Sequence, residues 1–190
     1  MNKSFVKNDG ESEEPDELLS EDSTPDETAN PGYKNLMTPL GHSTLSEELH
    51  TLIHIERPKI VEIVSWAAGN GDRSENGDYL YNKKKLREID RRLRYLTKKL
   101  ETAEIVDPRK QQGLDRVFFG ATVTYITEDD IEHRVKLVGV DEADLDNGKI
   151  NWVSPVGRAL MKKTIGDQVD IQTPNGLTSL EIVDIEYEVL

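Results

Sequence analysis

Apolar positions along the first half of the chain recur at helical spacing. Leu45, Leu49, Leu52, Ile53, Ile60, Val64 and Ala67 are separated mostly by three and four residues, which predicts an amphipathic helix. Pro58 falls inside this pattern, and the period resumes at once, so a kink is expected rather than a stop. Ser43 is the expected N-cap and Ser46 the next best, with Glu47 and Glu48 suiting a helix N-terminus electrostatically. Gly69-Asn70-Gly71 should end the helix, because these residues adopt turn and left-handed geometries. A second helix is written more plainly. Leu86, Ile89, Leu93, Leu96, Leu100 and Ala103 alternate steps of three and four, an a/d seam held over several turns. Tyr79 extends it backwards by one heptad, and Pro108 closes it. The short connection makes the two helices antiparallel neighbours. An arm of about 27 residues per helix would project roughly 40 Å.

From Val117 the period changes to that of strands. Val117-Phe118-Phe119, Ala121–Ile126, the alternating Arg134–Val140, and the segments 168–173 and 177–183 are strand candidates. The last two flank Pro174-Asn175-Gly176, a hairpin turn signal. Ser154-Pro155 opens one short helix, with Ser154 as cap and Pro155 in the first turn. The predicted class is α+β: an antiparallel two-helix coiled coil, then a small antiparallel β domain with one short helix. The boundaries are a tail over 1–34, a hairpin over 35–110 with its tip at 69–79, and a β-rich domain over 111–190.

Composition changes this picture at one end. The net charge is −13 over 190 residues, and residues 1–30 hold ten acids against two bases, −8 of the total. That acidic, Ser- and Pro-rich segment has too little apolar surface to offset the entropy of ordering, which predicts disorder. The remaining 160 residues carry −5, so acidity does not argue against nucleic-acid contact by the folded part. There are no cysteines, which excludes disulfides and thiolate metal sites. No apolar run approaches a membrane span, and no secretory signal opens the chain. These features predict a cytoplasmic protein.

The candidate chemistry lies in the break between the helices. Asp72 and Glu75 stand three apart there, and paired oxygen ligands suit Mg²⁺, which keeps several waters. Asp-x-x-Glu also fits a capping box with Asp72 as N-cap and Glu75 at N3; spacing leaves both readings open. Asp78 is a weaker third acid. Along the second helix run Lys83, Lys84, Lys85, Arg87, Arg91, Arg92, Arg94, Lys98 and Lys99, against Glu88, Asp90 and Glu101. Beside Tyr79 and Tyr81 this stripe could track a nucleic-acid backbone and stack on a base; a solvated coiled-coil face is the alternative. His50 and His54 form an i, i+4 pair with no third metal ligand evident. Trp66 is expected to pack within the hairpin. No phosphate-binding glycine loop or Ser/His/Asp signature appears. A hairpin is too narrow to enclose a substrate, so chemistry by Asp72 and Glu75 requires a partner's active site.

The run Gly71–Tyr79 with Tyr81–Arg92 resembles the Gre transcript-cleavage factors of bacterial RNA polymerase, in their GreB-like branch. Ser154–Leu160 with Gly166-Asp167 is similar to the same family's C-terminal domain. The resemblance implies a coiled coil that enters the polymerase secondary channel and an FKBP-like β domain that docks at its rim. It implies that Asp72 and Glu75 help hold a Mg²⁺ shared with the polymerase, with no cofactor in the free protein. The polymerase's own nuclease activity would then cleave backtracked RNA, the basic stripe contacting the RNA 3′ end. The expected partners are RNA polymerase and that RNA end, with no membrane and a monomer when free. A non-cleaving regulator of the same channel is the alternative. A prolyl isomerase finds less support, since Phe118, Phe119, Tyr125, Trp152 and Tyr187 suit a β core. Gly77 replaces the family's usual alanine, which should loosen the first turn of the second helix by about 1 kcal/mol.

Overall fold

The computed structural model describes residues 32–70, 76–173 and 176–187. The acidic segment up to residue 31, and with it most of the expected tail, lies outside the described residues. So do Asp72 and Glu75.

The chain enters at β1 (Leu36–Met37) and turns into α1 (Pro39–Thr51). The cap is Thr38, not Ser43 or Ser46: its hydroxyl accepts from Gly41 N at 3.0 Å, and Pro39 fills the first helical position. Proline belongs there, since its missing N–H would have had no partner. A π-helical turn, Leu52–Glu56, then leads into α2 (Arg57–Ala68). Pro58 cannot donate to His54 O as a regular helix would require, and its ring crowds that carbonyl; the widened turn lies just before it. The turn also explains the seam. Leu52 and Ile60 are both buried though eight residues apart, one more than a heptad. The π turn absorbs the extra residue. Ile53, expected in the seam, is 43% exposed instead.

The second long helix, α3 (Gly77–Glu101), follows the heptad reading. Ile89 and Leu96 are buried, and Leu86, Leu93, Leu100 and Ala103 pack beside them against Met37, Leu45, Leu52 and Ile60. β2 (Glu104–Ile105) pairs in parallel with β1 and closes the base of the hairpin.

The β domain is a five-stranded sheet in the order β5-β4-β3-β7-β6. Its strands are β3 (Thr122–Thr127), β4 (Glu132–Val138), β5 (Lys149–Asn151), β6 (Gln168–Thr173) and β7 (Gly176–Glu186). The sheet is mixed rather than antiparallel: β5 runs parallel to β4, with Leu137 opposite Ile150. The β6–β7 hairpin forms at the expected place, its residues 174 and 175 lying outside the described set. Val117-Phe118-Phe119 is not a strand; Val117 and Phe119 are buried, in a loop that leads into a turn. The short helix α4 (Pro155–Leu160) begins as expected, Ser154 accepting from Gly157 N at 3.0 Å. The core gathers Val123, Leu137, Ile171, Leu180 and Ile182 from the sheet with Leu160 from α4.

Candidate functional site

The two long helices stop and start around one side chain. α2 ends at Ala68 with Gly69 as C-cap, and α3 begins at Gly77 with Asn76 as N-cap. Asn76 Oδ1 accepts from Tyr79 N at 3.2 Å. Its amide nitrogen donates to Ala67 O at 2.9 Å and to Asn70 O at 3.4 Å. One residue therefore satisfies an orphan donor of α3 and adds a second hydrogen bond to Ala67 O of α2, which also accepts from Asn70 N at 3.1 Å. The capping-box reading of Asp72 is corrected here, because the cap of α3 is Asn76. Asn76 was not singled out in the sequence, although Asn directly before a helix is a strong N-cap signal; its amide donor is visible only once the end of α2 is in place.

The basic stripe on α3 is sorted by its neighbours. Lys84, Lys85, Arg87, Arg91, Arg94 and Lys98 are exposed. Lys83 is half-buried, its ammonium 5.6 Å from the centre of the Tyr79 ring. Arg92 makes a forked pair with Glu48 of α1, both bonds 2.7 Å. That bond holds the Glu48 carboxyl below the usual carboxylate range and raises the Arg92 guanidinium. Lys99 is the correction: it is 9% exposed, lies 3.9 Å from Asp141 and sits 5.2 Å from the Tyr95 ring centre. It belongs to the packing, not to a nucleic-acid surface. Arg57 bridges α2 to Asp90 of α3 at 2.8 Å.

Trp66 departs from its expected packing role and is 66% exposed on the last turns of α2; Tyr81 is 67% exposed on the first turns of α3. His50 and His54 meet edge to face, their centroids 4.3 Å apart. Among the described residues no three His, Cys, Asp or Glu side chains come together as a metal site. No helix among them is long and apolar enough to cross a membrane.

The family model described as "Transcription elongation factor, GreA/GreB, C-term" matches residues 110–187, and "Transcription elongation factor, N-terminal" matches 35–105. The chain belongs to the GreA/GreB family. A Neisseria meningitidis serogroup B protein named transcription elongation factor GreB is 54% identical over 154 residues, covering 81% of this chain and 94% of that protein. The Pseudomonas aeruginosa protein of the same name is 47% identical over 152 residues, 80% of this chain and 90% of that protein. Among solved structures, GreA factor homolog 1 (Gfh1) of Thermus thermophilus is similar at 22% identity with a TM-score of 0.38, covering 81% of this chain and 99% of that one. Within the GreA/GreB framework, the helical hairpin and the β domain each fall within their own family match.

Proposed function

We propose that this protein is a transcript-cleavage factor: it binds RNA polymerase and stimulates cleavage of backtracked nascent RNA. The observation that carries this reading is the family match over both halves of the chain, at 54% identity to a protein named GreB. The sequence places Asp72 and Glu75 between the last residue described in α2's end and the Asn76 cap. Capping α3 is done by Asn76, so the start of that helix does not require either carboxylate as its cap.

The donor set fits Mg²⁺, since both side chains offer only oxygen. When bound, Mg²⁺ supplies an activated water for in-line attack on a phosphodiester. Asp72 and Glu75 would hold the ion; two carboxylates make a weak site on their own, so polymerase must supply the remaining ligands and the pocket. The exposed cations Lys84, Lys85, Arg87, Arg91, Arg94 and Lys98 would steer the extruded RNA by its phosphates. The protein is thus no enzyme alone, and it works as a monomer in the cytoplasm.

The test is a stalled, backtracked elongation complex incubated with wild type, Asp72→Asn and Glu75→Gln. Each substitution should reduce stimulated cleavage by about 10²-fold or more, the scale for loss of an electrostatic ligand at a reacting centre. Binding to polymerase should remain nearly intact. Wild-type protein that binds but stimulates nothing would establish the non-cleaving channel regulator instead.

A further inference from the structure

Two consecutive acids of the β domain each hold one arm of the hairpin. After β4 and Gly139 the chain makes a single 3₁₀ turn, Val140–Glu142. Glu142 reaches the start of α1. One carboxylate oxygen accepts from Thr38 N at 3.0 Å and from Gly139 N at 3.0 Å; the other accepts from the Thr38 hydroxyl. That same hydroxyl caps α1 by accepting from Gly41 N. The fit is close on both sides. A Cβ on Gly41 would lie 2.2 Å from the Glu142 carboxyl, and one on Gly139 would lie 2.6 Å from both Glu142 Oε2 and Leu36 O. Neither glycine can be replaced without moving the carboxylate.

Asp141 reaches the other arm, near the end of α3. It accepts from the Tyr95 hydroxyl, and Lys99 stands 3.9 Å from its second oxygen, an ion-pair distance too long for a hydrogen bond. That oxygen is buried and has no hydrogen-bond partner. Tyr95 and Lys99 are i and i+4 on one helix face, so Asp141 grips a full turn. The apolar residues of the hairpin and of the β domain form two separate buried clusters. Polar contacts to Asp141 and Glu142 therefore carry much of the joint between them.

We infer that Asp141 and Glu142 are positioning residues that fix the direction of the hairpin relative to the β domain. The inference rests on the cleavage reading for its functional meaning. If the β domain docks on polymerase and the hairpin end delivers Asp72 and Glu75, a tilt at the base is magnified over an α3 of 25 residues, roughly 37 Å long. Misplacement of about 1 Å at a reacting centre costs up to 10²-fold in rate.

The experiment uses the full chain, which lacks cysteine, so two introduced cysteines take spin labels specifically. Labels at the exposed Lys84 and Leu177 report the distance between hairpin and β domain by pulsed electron resonance. Wild type should give one narrow distribution. Asp141→Asn and Glu142→Ala should broaden it about twofold or shift it, with helical content by circular dichroism unchanged. Glu142→Gln, which keeps an acceptor for the two backbone N–H groups, should restore most of the narrow distribution. In the stalled-complex assay the broadened variants should lose about tenfold in maximal cleavage rate, with the half-saturating protein concentration changed less than twofold. Unchanged distributions in all variants overturn the inference, as does a shifted half-saturation at full maximal rate. Should wild type stimulate no cleavage, the functional reading fails while the distance measurement still decides the joint. Should Glu142→Ala unfold, Asp141→Asn decides it alone, an unchanged distribution there overturning the inference.

Discussion

At the scale of single residues, Asn76 and Lys99 show how one side chain is assigned by its partners. Asn76 uses its carbonyl oxygen on α3 and its amide nitrogen on α2. The substitutions Asn76→Asp and Asn76→Ala separate these halves. Aspartate keeps the acceptor and suits the positive end of α3, but it cannot donate to Ala67 O. Asn76→Ala should cost about 1 kcal/mol of stability as a lost cap. Asn76→Asp should cost less than half of that in thermal melts, yet still reduce stimulated cleavage if the amide holds the two helix ends together. Equal stability losses for the two variants would remove the double role. Lys99 is separated from Lys98 in the same way. Lys99→Ala removes the ammonium that stands 3.9 Å from the nearly buried Asp141 carboxylate and should cost about 1–3 kcal/mol. Lys98→Ala, on an exposed side chain, should stay within about 0.5 kcal/mol. The sequence could not sort these two neighbours, because charge and spacing are equal for both; the difference lies in Asp141, 42 positions away from Lys99.

At the scale of elements, legibility followed the length and regularity of each period. α3 was readable because its seam runs through the whole helix at strict heptad spacing. The start of α1 lies at Thr38-Pro39, a cap-and-proline signal, whereas Ser43 with Glu47 and Glu48 imitates a later start. The parallel edge strand β5 has three residues, Lys149–Asn151, too few to show alternation. Val117-Phe118-Phe119 is apolar because it is buried, not because it is extended, and composition alone cannot tell the two apart. The candidate acids were legible as a motif, but that the cap of α3 is Asn76 shows only with the helix start in place. Between elements, the Glu48–Arg92 bridge of α1 to α3 makes a signed prediction. The carboxyl of Glu48 is lowered in the folded state, so its contribution is present above the ordinary carboxylate range. It is lost as pH falls through the lowered value. Both side chains are about two-fifths exposed, which limits the pair to about 0.2–1 kcal/mol. Arg92→Ala should therefore destabilise by that amount at pH 7, and the gap from wild type should close in melts as pH falls below the ordinary carboxylate range and through the lowered Glu48 value. A gap that is constant with pH would assign Arg92's contribution to packing on Tyr95, whose ring centre lies 5.3 Å away.

At the scale of the whole molecule, two apolar cores are joined by a polar base. Met37, Leu45, Leu52, Ile60, Ile89 and Leu96 form one; the sheet and α4 form the other. A hairpin two helices thick buries little per residue, and its outer half leaves Ile63, Trp66, Leu80 and Tyr81 exposed. Such a chain should not unfold as a single cooperative unit. The two tryptophans make this measurable. Trp66 is exposed on the hairpin, whereas Trp152 packs against the β-domain core and meets the Phe119 ring edge on at 6.5 Å between centroids. In a Trp66→Phe variant, fluorescence reports the β domain alone, and the helical circular dichroism signal reports mainly the hairpin. The helical signal should fall first in urea, with midpoints separated by about 0.5 M or more, given the usual slopes of 1–3 kcal/mol per molar. Glu142→Ala should widen the separation by weakening the joint that lets the β domain support the base of the arm. Coincident transitions in both proteins would mean that the hairpin borrows its stability from the β domain along its whole length, which two separate cores do not allow.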